Sequence, residues 1–417
     1  MVKRYSLAGI LFLLCQTLAF SQTQERLSLQ EALSIALQNN PEIIAAGRTI
    51  DASRGRYWQA ISLPAPELSV NYDYIPPGSG FSKFGERFIG VTQAFDFPTT
   101  IMLRGSASSS ETDAAEAASQ SVSNAVALQV KQAYYGVLAK ERKLRLAEEN
   151  LGIAEDFAGK AIIRYNVGEG TYLEQLTATM KRTQAQNAVE VSRNDLRLAE
   201  GELHYALGRG SAQRENELEL TDSLSYQHYA LKLDSLVELA YEWNPQIRSA
   251  AFRLEAGKVR RTIAWSSILP SFSVSYSRQL AAGGPDYYGV AFGMSLPLWS
   301  AFDQRGQIEE ASATAAVMES ELLNERNRVY LNVKNTFLDF TNEERQMKFY
   351  QTAMLPQADE VYRSAAMSYQ SGEITYLEFL EARQTLISVR DAHIDALFNY
   401  NCALARLENA VGRSINE

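Results

Sequence analysis

The residue types that usually carry chemistry are scarce in this chain and poorly spaced for it. His204, His228 and His393 have no ligand-type spacing to one another or to carboxylates, so they read as packing or surface residues. There is no glycine-rich phosphate loop and no Gly-x-Ser-x-Gly elbow, and no serine sits in a nucleophile setting. Nothing in the residues supports an enzyme, a cofactor or a resident metal. Tyr134, Tyr135 and Trp58 read as packing residues, and Glu148-Glu149 and Glu343-Glu344 as solvated helix faces. Two related turns, Tyr165-Asn166-Val167-Gly168 and Tyr369-Gln370-Ser371-Gly372, break the long helices. Glu174 follows the first. Glu378 and Glu381 follow the second, three residues apart, so one helix face presents both. On a lone helix such a pair is solvated surface.

Composition narrows the class. The chain has 417 residues, 46% of them hydrophobic, with 40 Lys+Arg against 49 Asp+Glu and a net charge of −9. Such an acidic chain is a poor nucleic-acid binder. Lys3 and Arg4 precede an apolar stretch from Leu7 to Phe20 and a small-x-small site, Ala19-Phe20-Ser21. Residues 1–21 therefore read as a secretory signal peptide, cut after Ser21. No internal run approaches the roughly 18–20 apolar residues of a spanning helix. Once Cys15 leaves with the signal, Cys402 is the remaining cysteine, so no disulfide framework supports the fold.

The chain is written twice. Leu27-x-Leu29 recurs as Leu231-x-Leu233, Asn40-Pro41 as Asn244-Pro245, and Pro66-x-Leu68-x-Val70-x-Tyr72 as Pro270-x-Phe272-x-Val274-x-Tyr276. Gly168-Glu169 recurs as Gly372-Glu373, with Thr171-Tyr172-Leu173-Glu174 matching Thr375-Tyr376-Leu377-Glu378, and Ala206-Leu207-Gly208-Arg209 recurs as Ala410-Val411-Gly412-Arg413. One offset, 204, holds for every pair. A tandem duplication is the expectation: repeat 1 over 22–209, a linker or equatorial segment over 210–230, and repeat 2 over 231–417.

Each repeat opens with a helix, over 28–61 in the first, where Asn40-Pro41 suits a cap and first-turn proline. Pro64 and Pro66 end it. A β-hairpin follows, at 66–98 and again at 270–298, with period-two alternation: Phe272, Val274 and Tyr276 alternate with serines, and Val290, Phe292, Met294 and Leu296 with Gly, Ala and Ser. Long helices rich in Ala, Glu, Gln, Leu and Arg come next, over 99–163 and 300–355, the first of about 65 residues or about 98 Å. In the second repeat Val333, Phe340, Met347, Met354 and Val361 recur every seven residues. That is a coiled-coil seam or an ordinary buried helix face. The glycine turns break these helices and shorter ones return.

The strand pattern fits a transmembrane β-strand, apolar on one face and small or polar on the other, and it equally fits a half-buried strand of a soluble sandwich. Two facts favour the membrane. The chain has no second sheet for the apolar faces to cover, and aromatics flank the strand ends: Tyr72, Tyr74, Phe95, Phe97, Tyr287, Tyr288 and Trp299. Four strands close no barrel, and lipid tolerates no open edge. Two copies give an eight-stranded barrel filled by side chains. Three give twelve strands and a lumen, so a homotrimer is expected.

The two-fold repeat, Asn40-Pro41-Glu42-Ile43, the strand pairs, Leu355-Pro356-Gln357-Ala358 and the Tyr-x-x-Gly-x-x-x-x-Leu-Glu tips together resemble the TolC-type outer membrane efflux proteins. The resemblance covers about 27–413. It implies a mainly α fold with a small β part: long helical hairpins and four transmembrane strands per chain, forming a trimeric twelve-stranded barrel and an α-helical tunnel. It implies an outer-membrane location extending into the periplasm, with a periplasmic adaptor protein and an inner-membrane pump as partners. It also implies a periplasmic constriction lined by Glu378, Glu381, Glu174, Tyr369 and Tyr165. The family's best-known member carries an arginine two residues after the second turn glycine, where this chain has Ile374, so that link is missing here. Two transport readings follow, the exit duct of a tripartite efflux system and that of a type I protein secretion system. The residues alone leave a third class, a periplasmic coiled-coil adaptor or structural protein.

Overall fold

The computed structural model describes residues 25–209, 218–281, 283–297 and 303–415. The expected signal peptide, residues 210–217 of the linker and Trp299 lie outside the described residues. The elements run β1 (Glu25–Leu27), α1 (Leu29–Asn39), α2 (Pro41–Ile61), β2 (Glu67–Asp73), β3 (Glu86–Phe95), α3 (Pro98–Asn166), α4 (Tyr172–Ala206), β4 (Leu218–Leu220), α5 (Leu233–Trp243), α6 (Pro245–Ser266), β5 (Ser271–Ala281), β6 (Asp286–Ser295), α7 (Asp303–Phe349), a π-helical turn (Tyr350–Met354), α8 (Leu355–Ser371) and α9 (Tyr376–Val411). The chain is mainly helical with a small sheet. No described helix is long and apolar enough to cross a membrane.

The opening helix expected over 28–61 is two helices. Asn40 is extended, at φ −68° and ψ 125°, because a residue before proline is pushed out of the helical region. Asn244 repeats the break at φ −64° and ψ 121°. The repeated motifs explain each other here. Asn40 Nδ2 donates to the carbonyl of Ala206 at 3.0 Å, and Asn244 Nδ2 to that of Ala410 at 2.9 Å. Both asparagines are buried. Gly208, at φ +72°, and Gly412, at φ +91°, sit so close to these breaks that a Cβ would lie 2.7 Å from Asn40 Cα and 2.8 Å from Asn244 Cα respectively. Left-handed backbone and close approach both demand glycine.

The chain forms two compact units that cut across the repeats. One comprises the chain up to Asn40, Val126–His228 and Phe340–Ala405; the other comprises Pro41–Ala125, Tyr229–Asp339 and the chain from Arg406.

The second unit holds a four-stranded antiparallel sheet in the order β2-β3-β5-β6. The register sorts its faces. Leu68 pairs with Val91, Val91 with Tyr276 and Tyr276 with Val290; Phe95 pairs with Phe272 and Phe272 with Met294. On the other face Ser69, Gly90, Ser277 and Gly289 form one row, and Ala94, Ser273 and Gly293 another. The apolar face is open: Leu68 is 75% exposed and Phe292 82%. On the opposite face the packing is tight at Gly293, where a Cβ would lie 2.5 Å from Ser273 Oγ. Trp58, expected to pack, is also exposed, edge-on to Tyr57. It lies on α2, whose buried face in this unit is small: Ser53 meets Thr112 at 3.2 Å.

In the first unit, β1 and β4 pair in parallel. Tyr134 is fully buried, with its hydroxyl 3.0 Å from the Leu27 carbonyl and 2.8 Å from Asp222 Oδ2. Beyond β4, the chain is strapped to the helices. Leu224 O accepts from Arg142 Nη2 at 2.6 Å, and Tyr226 Oη donates to Glu344 Oε1 at 2.9 Å. Glu344 was expected on a solvated face and is instead mostly buried, because His228 Nδ1 (2.6 Å) and Lys348 Nζ (3.1 Å) converge on the same oxygen.

The seven-residue stripe is buried at Val333, Phe340 and Met347, but Val361 is exposed. The π turn is the reason. It adds one residue to the repeat, so Leu355 and Tyr362, each one position later than the stripe, face the packed side, with Met354 within the turn still packed beside Leu355.

Candidate functional site

The sequence-expected site residues gather at the two helical turns of the first unit. Each turn ends on a glycine in left-handed conformation, Gly168 and Gly372, both at φ +80°. A capping box follows in each. Glu174 N donates to Thr171 Oγ1 at 3.1 Å, while Thr171 N donates to Glu174 Oε2 at 3.3 Å. At the second turn Glu378 Oε2 accepts from Thr375 N at 2.7 Å and from Thr375 Oγ1 at 2.8 Å. The Thr375 backbone N–H, then its hydroxyl, hold the Glu378 carboxyl below its ordinary range. Glu378 is therefore an exposed, firmly ionised carboxylate fixed at the first turn of α9. Glu381 is exposed one turn further on and lines a cavity of about 750 Å³ together with Lys181 and Arg383.

Tyr369 does not meet Glu174. Its hydroxyl accepts from Arg164 Nη1 at 3.2 Å, and Arg164 sits at the end of α3. Tyr165 rests against Tyr172 at the other tip, ring centroids 5.7 Å apart. Glu174 reaches toward the second tip through its field on Tyr376.

An aromatic cluster organises the second tip, and the sequence reading missed it. Phe379 is buried at its centre. Phe157 of α3 lies 4.9 Å from it, Tyr369 stacks on it at 5.3 Å, and Tyr362 packs at 5.9 Å. Burial pushes the Tyr376 hydroxyl up. A cavity of about 590 Å³ opens beside these rings, with Lys160, Arg164 and Glu174 at its margin. The signal was present: Tyr362, Tyr369 and Tyr376 recur every seven residues. Arg383 was also missed. It is buried and held by Asn150, donating to its carbonyl at 2.7 Å and to its side-chain oxygen. Burial lowers its affinity for a proton.

The second tip thus presents one hydrogen-bonded carboxylate, Glu378, a second exposed one, Glu381, and a packed aromatic cluster. Among the described residues no group of three or more His, Cys, Asp or Glu is placed to hold a metal ion.

The chain belongs to the outer membrane efflux protein family, which it matches over residues 32–209 and again over 236–413. It is similar to the cobalt-zinc-cadmium resistance protein CzcC of Cupriavidus metallidurans, at 21% identity over 392 residues, 93% of this chain and 90% of the relative. Its fold is similar to that of the outer-membrane channel OprN, with a TM-score of 0.77 at 18% identity, covering 92% of this chain and 89% of the other. The outer membrane protein VceC from Vibrio cholerae gives a TM-score of 0.76 at 18% identity, covering 93% and 96%.

Proposed function

We propose that the chain is one of three identical subunits of a passive outer-membrane exit duct. In this reading a periplasmic adaptor and an inner-membrane pump complete a tripartite efflux system. The observation that carries the reading is the sheet. One face is apolar and open, the other is a floor of Ser, Gly and Ala, and β2 and β6 are left as edges. In lipid those edges must be paired, since unpaired backbone groups cost several kcal/mol each. Pairing β6 of one copy with β2 of the next satisfies them, and three copies leave a water-filled lumen. The small-residue face then lines the lumen and the apolar face meets the acyl chains. The repeats suit an outer-membrane and periplasmic location reached through removal of residues 1–21.

At the constricted end, Glu378 and Glu381 form two carboxylate rings, with Glu174, Tyr369 and Tyr165 around them. Rings of this sign favour cations. The relative named for cobalt, zinc and cadmium resistance supports divalent metal ions as the first cargo to test. The structural neighbours named as channels support a duct over an adaptor.

The test is extraction and mass. Membranes from cells producing the full chain are washed with carbonate, then solubilised in detergent, and the released particle is weighed by light scattering. Detergent-dependent release as a three-copy particle is expected. A single-copy species released without detergent would overturn the reading.

A further inference from the structure

The chain is acidic, yet a small cleft in the first unit is walled mainly by cations. Arg142 and Arg145 are three residues apart on α3, and Arg390 and His393 are three apart on α9. Helical spacing puts each pair on one face, and both pairs line the same cleft of about 200 Å³. The three guanidiniums stay charged at any working pH. Arg390 is paired with Asp359 at 3.1 Å. Arg142 donates to a neutral group, the Leu224 carbonyl, and among the described residues neither Arg142 nor Arg145 has a carboxylate within ion-pair distance. Glu149, the one acidic group in the lining, is exposed and unattached. Two nearby acids are engaged elsewhere, Lys143 Nζ holding Asp391 at 3.2 Å and Asp395 at 2.8 Å, while Glu141 on α3 feels the Arg145 charge without forming an ion pair with it.

The cations also press on one another. Burial and then the Arg145 charge depress Arg142, and burial and then the Arg142 charge hold His393 below the ordinary histidine value. Arg142 is half-buried beside the exposed Arg145, and a half-buried charge with no ion-pair partner is costly, so the cleft favours added negative charge.

We propose that this cleft binds a phosphate-class oxyanion, held between Arg142 and Arg145 on α3 and Arg390 and His393 on α9. Guanidinium forks match phosphate oxygens bidentately, and donors from two walls suit a tetrahedral anion. The cleft is smaller than the roughly 300 Å³ at which pockets for drug-sized ligands begin, which favours inorganic phosphate over a nucleotide. Because Arg142 also holds the Leu224 carbonyl, the bound anion would brace the strap that follows β4. None of its lining residues is among those placed at the proposed constriction.

The test uses the full chain in detergent, with inorganic phosphate as the probe. Thermal unfolding is compared in phosphate and in chloride at matched ionic strength, and binding is titrated by calorimetry. Phosphate is expected to raise the Tm of the wild type. Arg145 makes no bond that holds the fold and its charge presses on Arg142, so Arg145→Ala is expected to keep or slightly raise the chloride Tm and to weaken phosphate binding about tenfold or more. Arg145→Glu supplies the missing counter-charge from within. It is expected to raise the chloride Tm and to abolish the response to phosphate. Equal Tm values in phosphate and chloride for the wild type, or equal phosphate affinity in the wild type and Arg145→Ala, would overturn the proposal. So would a phosphate-insensitive wild type whose assembly is broken by Arg145→Glu, which would assign the cleft to a neighbouring copy's carboxylate.

Discussion

At the first tip Thr171 and Glu174 close a capping box after Gly168; at the second, Thr375 and Glu378 close the same box after Gly372. Eight of the eleven residues from 168 to 178 match their partners 204 positions later. The tips nevertheless differ in packing. Tyr172 is 62% exposed and its counterpart Tyr376 is 8% exposed. The difference lies at mismatched positions. Gln175 corresponds to Phe379, against which the rings of Phe157, Tyr362 and Tyr369 pack, and Gly170 corresponds to Ile374, which packs against that cluster. The shared letters write the turn, and the unshared ones decide whether the turn is tied down.

That contrast can be broken in graded steps. Phe379→Ala removes the central ring and is expected to cost about 3–5 kcal/mol locally, whereas Gln175→Ala should change stability by no more than about 0.5 kcal/mol. Native-state hydrogen exchange across 370–380 and 166–176 measures both, and equal losses would erase the distinction. Gly170→Ile places a Cβ 3.1 Å from Arg164 Cβ and 3.2 Å from Tyr165 N. Transplanting the second tip's residue into the first should therefore cost about 1–3 kcal/mol by overpacking instead of tightening it.

A smaller and equal effect is expected from the caps. Thr171→Ala and Thr375→Ala should each cost about 1 kcal/mol, and unequal losses would mean that the boxes are not equivalent. The Glu378 carboxyl is lowered in the fold, so its contribution is complete above the ordinary value of 4.5 and is lost as pH falls through the lower, folded value. Exchange at the second tip should accelerate only below that pH. The subtlest comparison is electrical. Glu378→Gln with Glu381→Gln should lower the reversal potential of the channel in a salt gradient across a planar bilayer, and Glu174→Gln should lower it less. An unmoved potential in the double variant would remove these carboxylates from the conduction path.

The duplication, the strand pairs and the long helices were legible because each rests on local chemistry: a period, a proline, a glycine turn. The match of Asn40 to Asn244 and of Gly208 to Gly412 was legible as repetition, but not as contact. Only the fold brings a carbonyl to each amide across a separation of 166 residues. Glu344 was misread because its partners Tyr226 and His228 lie on an irregular segment with no periodic pattern. Arg164 was overlooked as the partner of Tyr369 because they stand 205 residues apart and in different repeats. The cationic cleft escaped for the same reason, its two walls coming from different repeats.

The widened turn at Tyr350–Met354 has a further consequence. It works like a frameshift in a reading frame: the shaft before it is spelled from Val333, Phe340 and Met347, the tip after it from Leu355 and Tyr362. Shaft and tip thus obey two phases of one alphabet, and a single-residue deletion in that turn would leave the composition almost untouched while turning Val361 inward and Tyr362 out of its aromatic nest.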